Sequence, residues 1–314
     1  MVNESESESE SESEFVLVLV LVPGGNIAIW PEVKLGRAYA HIMELQQRIE
    51  EWESLRPLHS KATQVSENEL SITVEVHVAP PLEALATIFG DAIHNLRSAL
   101  DAATWEMANF EGRSPATEDA QRAVHFPLYD DNAKFQKWAD RVGSIPDQLL
   151  ARLEAQQPYN RAAALAKLDQ VNTLVMLHSF DITDKHRNSI SAVGAVRDFA
   201  TTTVSIKGDA RELTFAPEAR APLETGAVLL RAISPKPIEL IGFVSGPITA
   251  QFDIPARGGF APVLEVLGTM AGKVRVTLDG LYSVESPPDN SDTSILVQID
   301  AGRVKTTSEP RAES

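Results

Sequence analysis

Residues 90–101 read Gly90-Asp91-Ala92-Ile93-His94-Asn95-Leu96-Arg97-Ser98-Ala99-Leu100-Asp101. At about 100° per residue, Asp91, His94, Asn95, Arg97, Ser98 and Asp101 form one polar arc of about 160°. Ala92, Ile93, Leu96, Ala99 and Leu100 take the other side. The apolar stripe extends both ways, through Leu85 and Phe89 upstream and through Ala103 and Met107 downstream. Pro80-Pro81 suits the opening of a helix, because proline tolerates the first turn. The pattern predicts one long amphipathic helix from Pro81 to about Phe110, with Gly90 marking close packing rather than a break.

The neighbouring segments repeat the helical period. Leu35, Ala38, Ile42, Leu45, Ile49 and Trp52 recur three and four apart, which predicts a helix over 31–55 stopped by Pro57. A third long helix is expected over 161–184, with Leu168, Val171, Val175, Ser179 and Ile182 on its stripe and His186 continuing it. Short helices are expected over 131–142 and 146–156, with 111–129 as a loop. A last helix is expected over 261–282, weakened by Gly268 and Gly272. Alternation of period two predicts a strand over 69–78. Further strands are expected over 190–197, 200–207, 211–216, 227–233, 238–244 and 247–254, with Lys207-Gly208-Asp209-Ala210 as a hairpin turn. The fold class is therefore α+β: an antiparallel long-helix bundle with an inserted antiparallel β unit. Its parts are a tail and short apolar strand (1–25), a helical region (26–187), the β unit (188–257), a helix packing back on the bundle (258–284) and a mostly disordered tail (285–314).

Composition narrows the function. The 314 residues are 43% hydrophobic and 23% charged, as in globular proteins, with a net charge of −16 and no cysteine. Disulfides, thiolate metal sites, iron–sulfur clusters and a cysteine nucleophile are excluded, and any site is confined to His, carboxylate, Arg and Lys. No segment forms a basic stripe, so a broad nucleic-acid surface is not expected. The acidic run ESESESESESE at 4–14 predicts disorder. FVLVLVLV at 15–22 has eight apolar residues, too few to cross a bilayer, and its flank is acidic where a signal peptide is basic. A cytoplasmic location is expected. No phosphate loop, dinucleotide fingerprint or nucleophile elbow occurs.

A second polar motif closes the third long helix: Asp181-Ile182-Thr183-Asp184-Lys185-His186-Arg187-Asn188. Between the two motifs lie HFPLY (125–129) and IPDQLLARLEAQQPY (145–159). Together these segments resemble an uncharacterised family of bacterial and phage proteins with an HNLRSALD-like helix and a DKHR-like helix end. The resemblance covers residues 80–190, about a third of the chain. His94, Asn95, Arg97, Asp101, Asp184, Lys185, His186 and Arg187 match its motifs, and Ala102 departs from it where the family often has His. The resemblance implies a helical region carrying this polar pair and implies no activity.

The residues themselves admit four readings. Asp91, His94 and His186 have ligand chemistry for a divalent metal, although no HExxH or ExxH signature is present. Arg97, Lys185 and Arg187 suit a small anion such as a phosphate ester, with His94 or His186 moving a proton and Asp101 assisting as catalytic groups. Asn95, Lys185 and Arg187 are the binding candidates in that scheme. The polar groups also suit a protein partner. Finally, they suit an ion-pair network that locks two helices without chemistry, and this non-catalytic structural or protein-interaction reading is the leading expectation. No cofactor is predicted beyond the divalent metal of the first reading. The complementary charges predict Asp91 or Asp101 within ion-pair reach of Lys185 or Arg187. Trp52, Trp105 and Trp138 are expected in the core, and His178 as a satisfied core histidine.

Overall fold

A computed structural model describes residues 29–160, 172–184, 191–195, 203–208, 212–217, 221–244, 248–256, 259–283, 297–300 and 303–306. Seven α-helices occur among them: α1 (Ile29–Ser54), α2 (Leu82–Ala108), α3 (Glu118–Ala123), α4 (Asn132–Val142), α5 (Asp147–Ala155), α6 (Thr173–Asp184) and α7 (Val263–Tyr282). The architecture is α+β, with antiparallel sheets beside the long helices. No helix among the described residues is long and apolar enough to cross a membrane. The repetitive N-terminal run and strand at 1–25 lie outside the described residues.

The two longest helices follow the sequence period. On α1, Leu35, Ala38, Ile42, Leu45, Ile49 and Trp52 are buried, which is the seam read from spacing. On α2 the predicted stripe is buried throughout, and the helix runs unbroken through buried Gly90. The C-terminal half of α1 meets the N-terminal part of α2, so the two are antiparallel, and Trp52 Nε1 donates to the Val78 carbonyl at 3.1 Å. Helix α7 closes the layer. Arg275 Nη1 reaches Glu32 of α1 at 2.8 Å, and Tyr282 Oη donates to Glu106 of α2 at 2.7 Å. Burial pushes the Glu106 carboxyl above its ordinary range, with the Tyr282 hydrogen bond opposing the shift. The buried stripe of Val263, Val266, Leu267, Met270, Val274, Leu278 and Leu281 outweighs the helix-weakening glycines of α7.

Among the described residues, two four-stranded antiparallel sheets and two hydrogen-bonded strand pairs accompany the helices. The first sheet has the order β1 (Leu58–Ser66), β2 (Glu69–Val76), β7 (Val228–Ile233), β5 (Thr214–Pro217). The second runs β10 (Gly259–Pro262), β9 (Thr249–Ala256), β3 (Ser191–Ala195), β6 (Ala221–Pro222). β4 (Thr203–Lys207) pairs with β8 (Glu239–Val244), and β11 (Val297–Asp300) with β12 (Arg303–Thr306). The hairpin formed by β1 and β2, inserted between α1 and α2, thus joins strands from the later β region.

Several expectations are corrected. β1 escapes periodicity because it is an edge strand whose residues are half-buried at most. The turn expected at Lys207–Ala210 does not join two paired strands: β4 and β5 belong to different sheets. The expected loop 111–129 contains α3, capped by Thr117, whose Oγ1 accepts from Ala120 N at 3.1 Å. On α6 the stripe is out of phase, since Leu174, Leu177 and Phe180 are buried while Ile182 is 56% exposed. That helix is apolar all round, so its spacing does not settle which face turns inward. Trp105 is 47% exposed, whereas Trp52 and Trp138 are core.

Leu96 is fully buried on α2. Leu96→Ala is therefore expected to lower unfolding free energy by about 2–5 kcal/mol. Ile182→Ala should change it by about 0.5 kcal/mol or less. Urea unfolding of both variants checks the phase of the two helices.

Candidate functional site

Arg97 and Asp101 stand one turn apart on α2, so their side chains share a face. They meet at 3.0 Å, Arg97 Nη2 to Asp101 Oδ1. Between them they hold the two backbone polar groups of a single residue in the segment that follows α3. Arg97 Nη2 donates to the Phe126 carbonyl at 2.7 Å, and Phe126 N donates to Asp101 Oδ1 at 2.8 Å. The two side chains thus treat Phe126 as a sheet neighbour would, satisfying both its backbone donor and its acceptor. The Phe126 ring is fully buried, and the Arg97 guanidinium carbon stands 6.0 Å from its centroid.

Two further side chains pin the same stretch. Trp138 Nε1 on α4 donates to the Ala123 carbonyl at 2.9 Å. Gln157, fully buried just beyond α5, donates Nε2 to Pro127 O at 3.0 Å and accepts from Tyr129 N at 3.1 Å. From Ala123 at the end of α3 to Tyr129, side chains from three helical segments take up backbone groups of this stretch.

Histidines surround this clamp. His94 is mostly exposed, and its Nδ1 lies 3.3 Å from Asp181 Oδ1 of α6. Its Nε2 is 3.5 Å from Ser98 Oγ. His125 packs edge-on against Trp138, and burial followed by the Arg97 charge holds its pKa below the ordinary imidazole value. His178 on α6 is depressed by the same two causes. Its Nδ1 is buried without a hydrogen-bond partner, as is Nη1 of Arg97. The expectation of a fully satisfied His178 is thereby corrected.

The structure brings His94, Arg97 and Asp101 into one cluster with His125, His178 and Asp181. Asn95 turns back on its own helix, donating Nδ2 to the Asp91 carbonyl at 2.8 Å. Asp91 is exposed. Lys185, His186 and Arg187 lie outside the described residues, as does the ion pair expected between them and α2. Among the described residues no three His, Asp or Glu side chains are grouped to hold a metal ion. A groove of about 710 Å³ lies elsewhere, between α1 and α2, walled by Trp52, Leu55, Val78, Pro81 and Ile88. The members that helical spacing leaves out, Phe126, Gln157 and Trp138, act through backbone contacts distant in sequence. The sequence marked Phe126 by the run HFPLY and Gln157 by the run ending in QQPY, and Trp138 as a core residue. No protein-family model, no curated protein and no solved structure matches the chain.

His125 and His178 set a pH dependence. Both are depressed when folded, so the unfolded chain binds protons first as pH falls, and folding stability falls with it. The loss begins near the ordinary imidazole value of 6.5 and continues down to the depressed folded values. Thermal melts from about pH 7.5 to about pH 5.5 should show a steeper loss in the wild type than in a His125→Gln/His178→Gln variant. Parallel curves would contradict the assignment.

Proposed function

We propose that the chain is a non-catalytic structural or protein-interaction protein, and that the polar constellation of α2 is architectural. The observation that supports this reading is the engagement of Arg97 and Asp101 with the Phe126 backbone. Groups that would otherwise hold a substrate are committed to the backbone of this chain. The family-like motifs of the helix, HFPLY and QQPY come together in this one clamp, so the resemblance reads as a shared folding unit.

A second reading, a site for a small anion or phosphate ester, draws support from the unpartnered Arg97 Nη1 beside His178. It is opposed by the carboxylates of Asp101 and Asp181, which repel an anion brought to the same place.

Arg97→Met strands the Phe126 carbonyl and leaves Asp101 without its cation. The expected cost is about 2–4 kcal/mol, below that of a fully enclosed pair because the Asp101 side chain is 38% exposed. Wild-type melting temperature should not move with millimolar inorganic phosphate or adenosine monophosphate. A phosphate-dependent rise, abolished in a folded Arg97→Lys variant, would replace this reading with the second one.

A further inference from the structure

The β1–β2 hairpin carries a second histidine pair, far in sequence from α2. His59 sits on β1 directly across from Glu75 on β2. His77 follows the end of β2, and its N–H donates to the Pro57 carbonyl at 2.8 Å, which extends the ladder by one step. His59 and His77 are therefore diagonal neighbours on one face of the hairpin, as are Glu75 and Lys61. Both histidines are exposed. Their rings stand 4.6 Å apart between centroids, at an interplanar angle of 66°.

That separation has chemical meaning. Two imidazoles bound to one metal at about 2.0–2.1 Å have ring centres about 4.5–5.2 Å apart for bond angles of about 90–110°. Each ring turns easily about its last side-chain bond, where the torsional well is broad, so a small rotation converges one nitrogen from each ring. The backbone ladder holds the two Cα positions, so little ordering remains to be done on binding. We propose that His59 and His77 form a two-imidazole chelate for a borderline divalent transition metal such as zinc, nickel or copper. Imidazole nitrogen selects such ions over magnesium and calcium. Among the described residues no third protein ligand is in place, and solvent completes the coordination. The Glu75 carboxylate, paired to Lys61 only at 3.9 Å, raises the local concentration of cations.

The test is calorimetric titration of the full chain with zinc and, separately, nickel, in a non-chelating buffer near neutral pH. One ion per chain is expected. His59→Ala and His77→Ala should each weaken binding by about tenfold or more, since even residues supporting a ligand cost that much. His94→Ala should bind as the wild type does. Both hairpin residues are exposed, so circular dichroism and melting temperature should be unchanged in the variants. Absence of binding in the wild type overturns the proposal. So does binding that survives the His59→Ala/His77→Ala double variant.

Discussion

The backbone of one residue, Phe126, is held at both its donor and its acceptor by side chains of α2. A chain segment that packs against helices brings backbone donors and acceptors into a region without water, and each must find a partner. Residues 123–129 meet that constraint with side chains rather than with a strand. Arg97 and Asp101 take the Phe126 backbone, Trp138 takes Ala123, and Gln157 takes Pro127 and Tyr129. Removing any of these partners leaves a buried backbone group unpaired, which costs more than the bond itself contributes.

α2 is apolar on the side that meets α1 and α7, its polar side holds the Phe126 backbone, and α6 meets both, through Asp181 at His94 and Phe180 edge-on against Phe89. Arg97 tolerates 5% exposure because a carboxylate, a carbonyl and an aromatic face share its charge. Burial, followed by the same charge, holds His125 and His178 below the ordinary imidazole value. His94 and Asp181, 3.3 Å apart, join the more exposed edge of α2 to α6.

The long helices were legible in the sequence because burial repeats every three or four residues, and the seams of α1 and α2 were read residue by residue. α6 was misread by phase, since a helix with apolar residues on every side offers no contrast. β1 was invisible for a related reason: an edge strand with one half-covered face shows little alternation. The polar arc of α2 was legible as a constellation, but its partner was not. Complementary charge pointed Asp101 toward the cationic end of the third helix. That end lies outside the described residues, and the partners described for Asp101 are Arg97, four residues back, and a backbone amide 25 residues downstream. Side-chain pairing with a distant backbone leaves no periodic trace, and the unusual run HFPLY marked the place.

Amide hydrogen exchange reads directly whether α2 locks the Phe126 backbone. The Phe126 amide should exchange as slowly as the buried amides of α2 in the wild type. In an Asp101→Ala variant it should exchange many times faster while α2 keeps its protection. A Phe126 amide that exchanges at the rate of an exposed loop in the wild type would contradict the account.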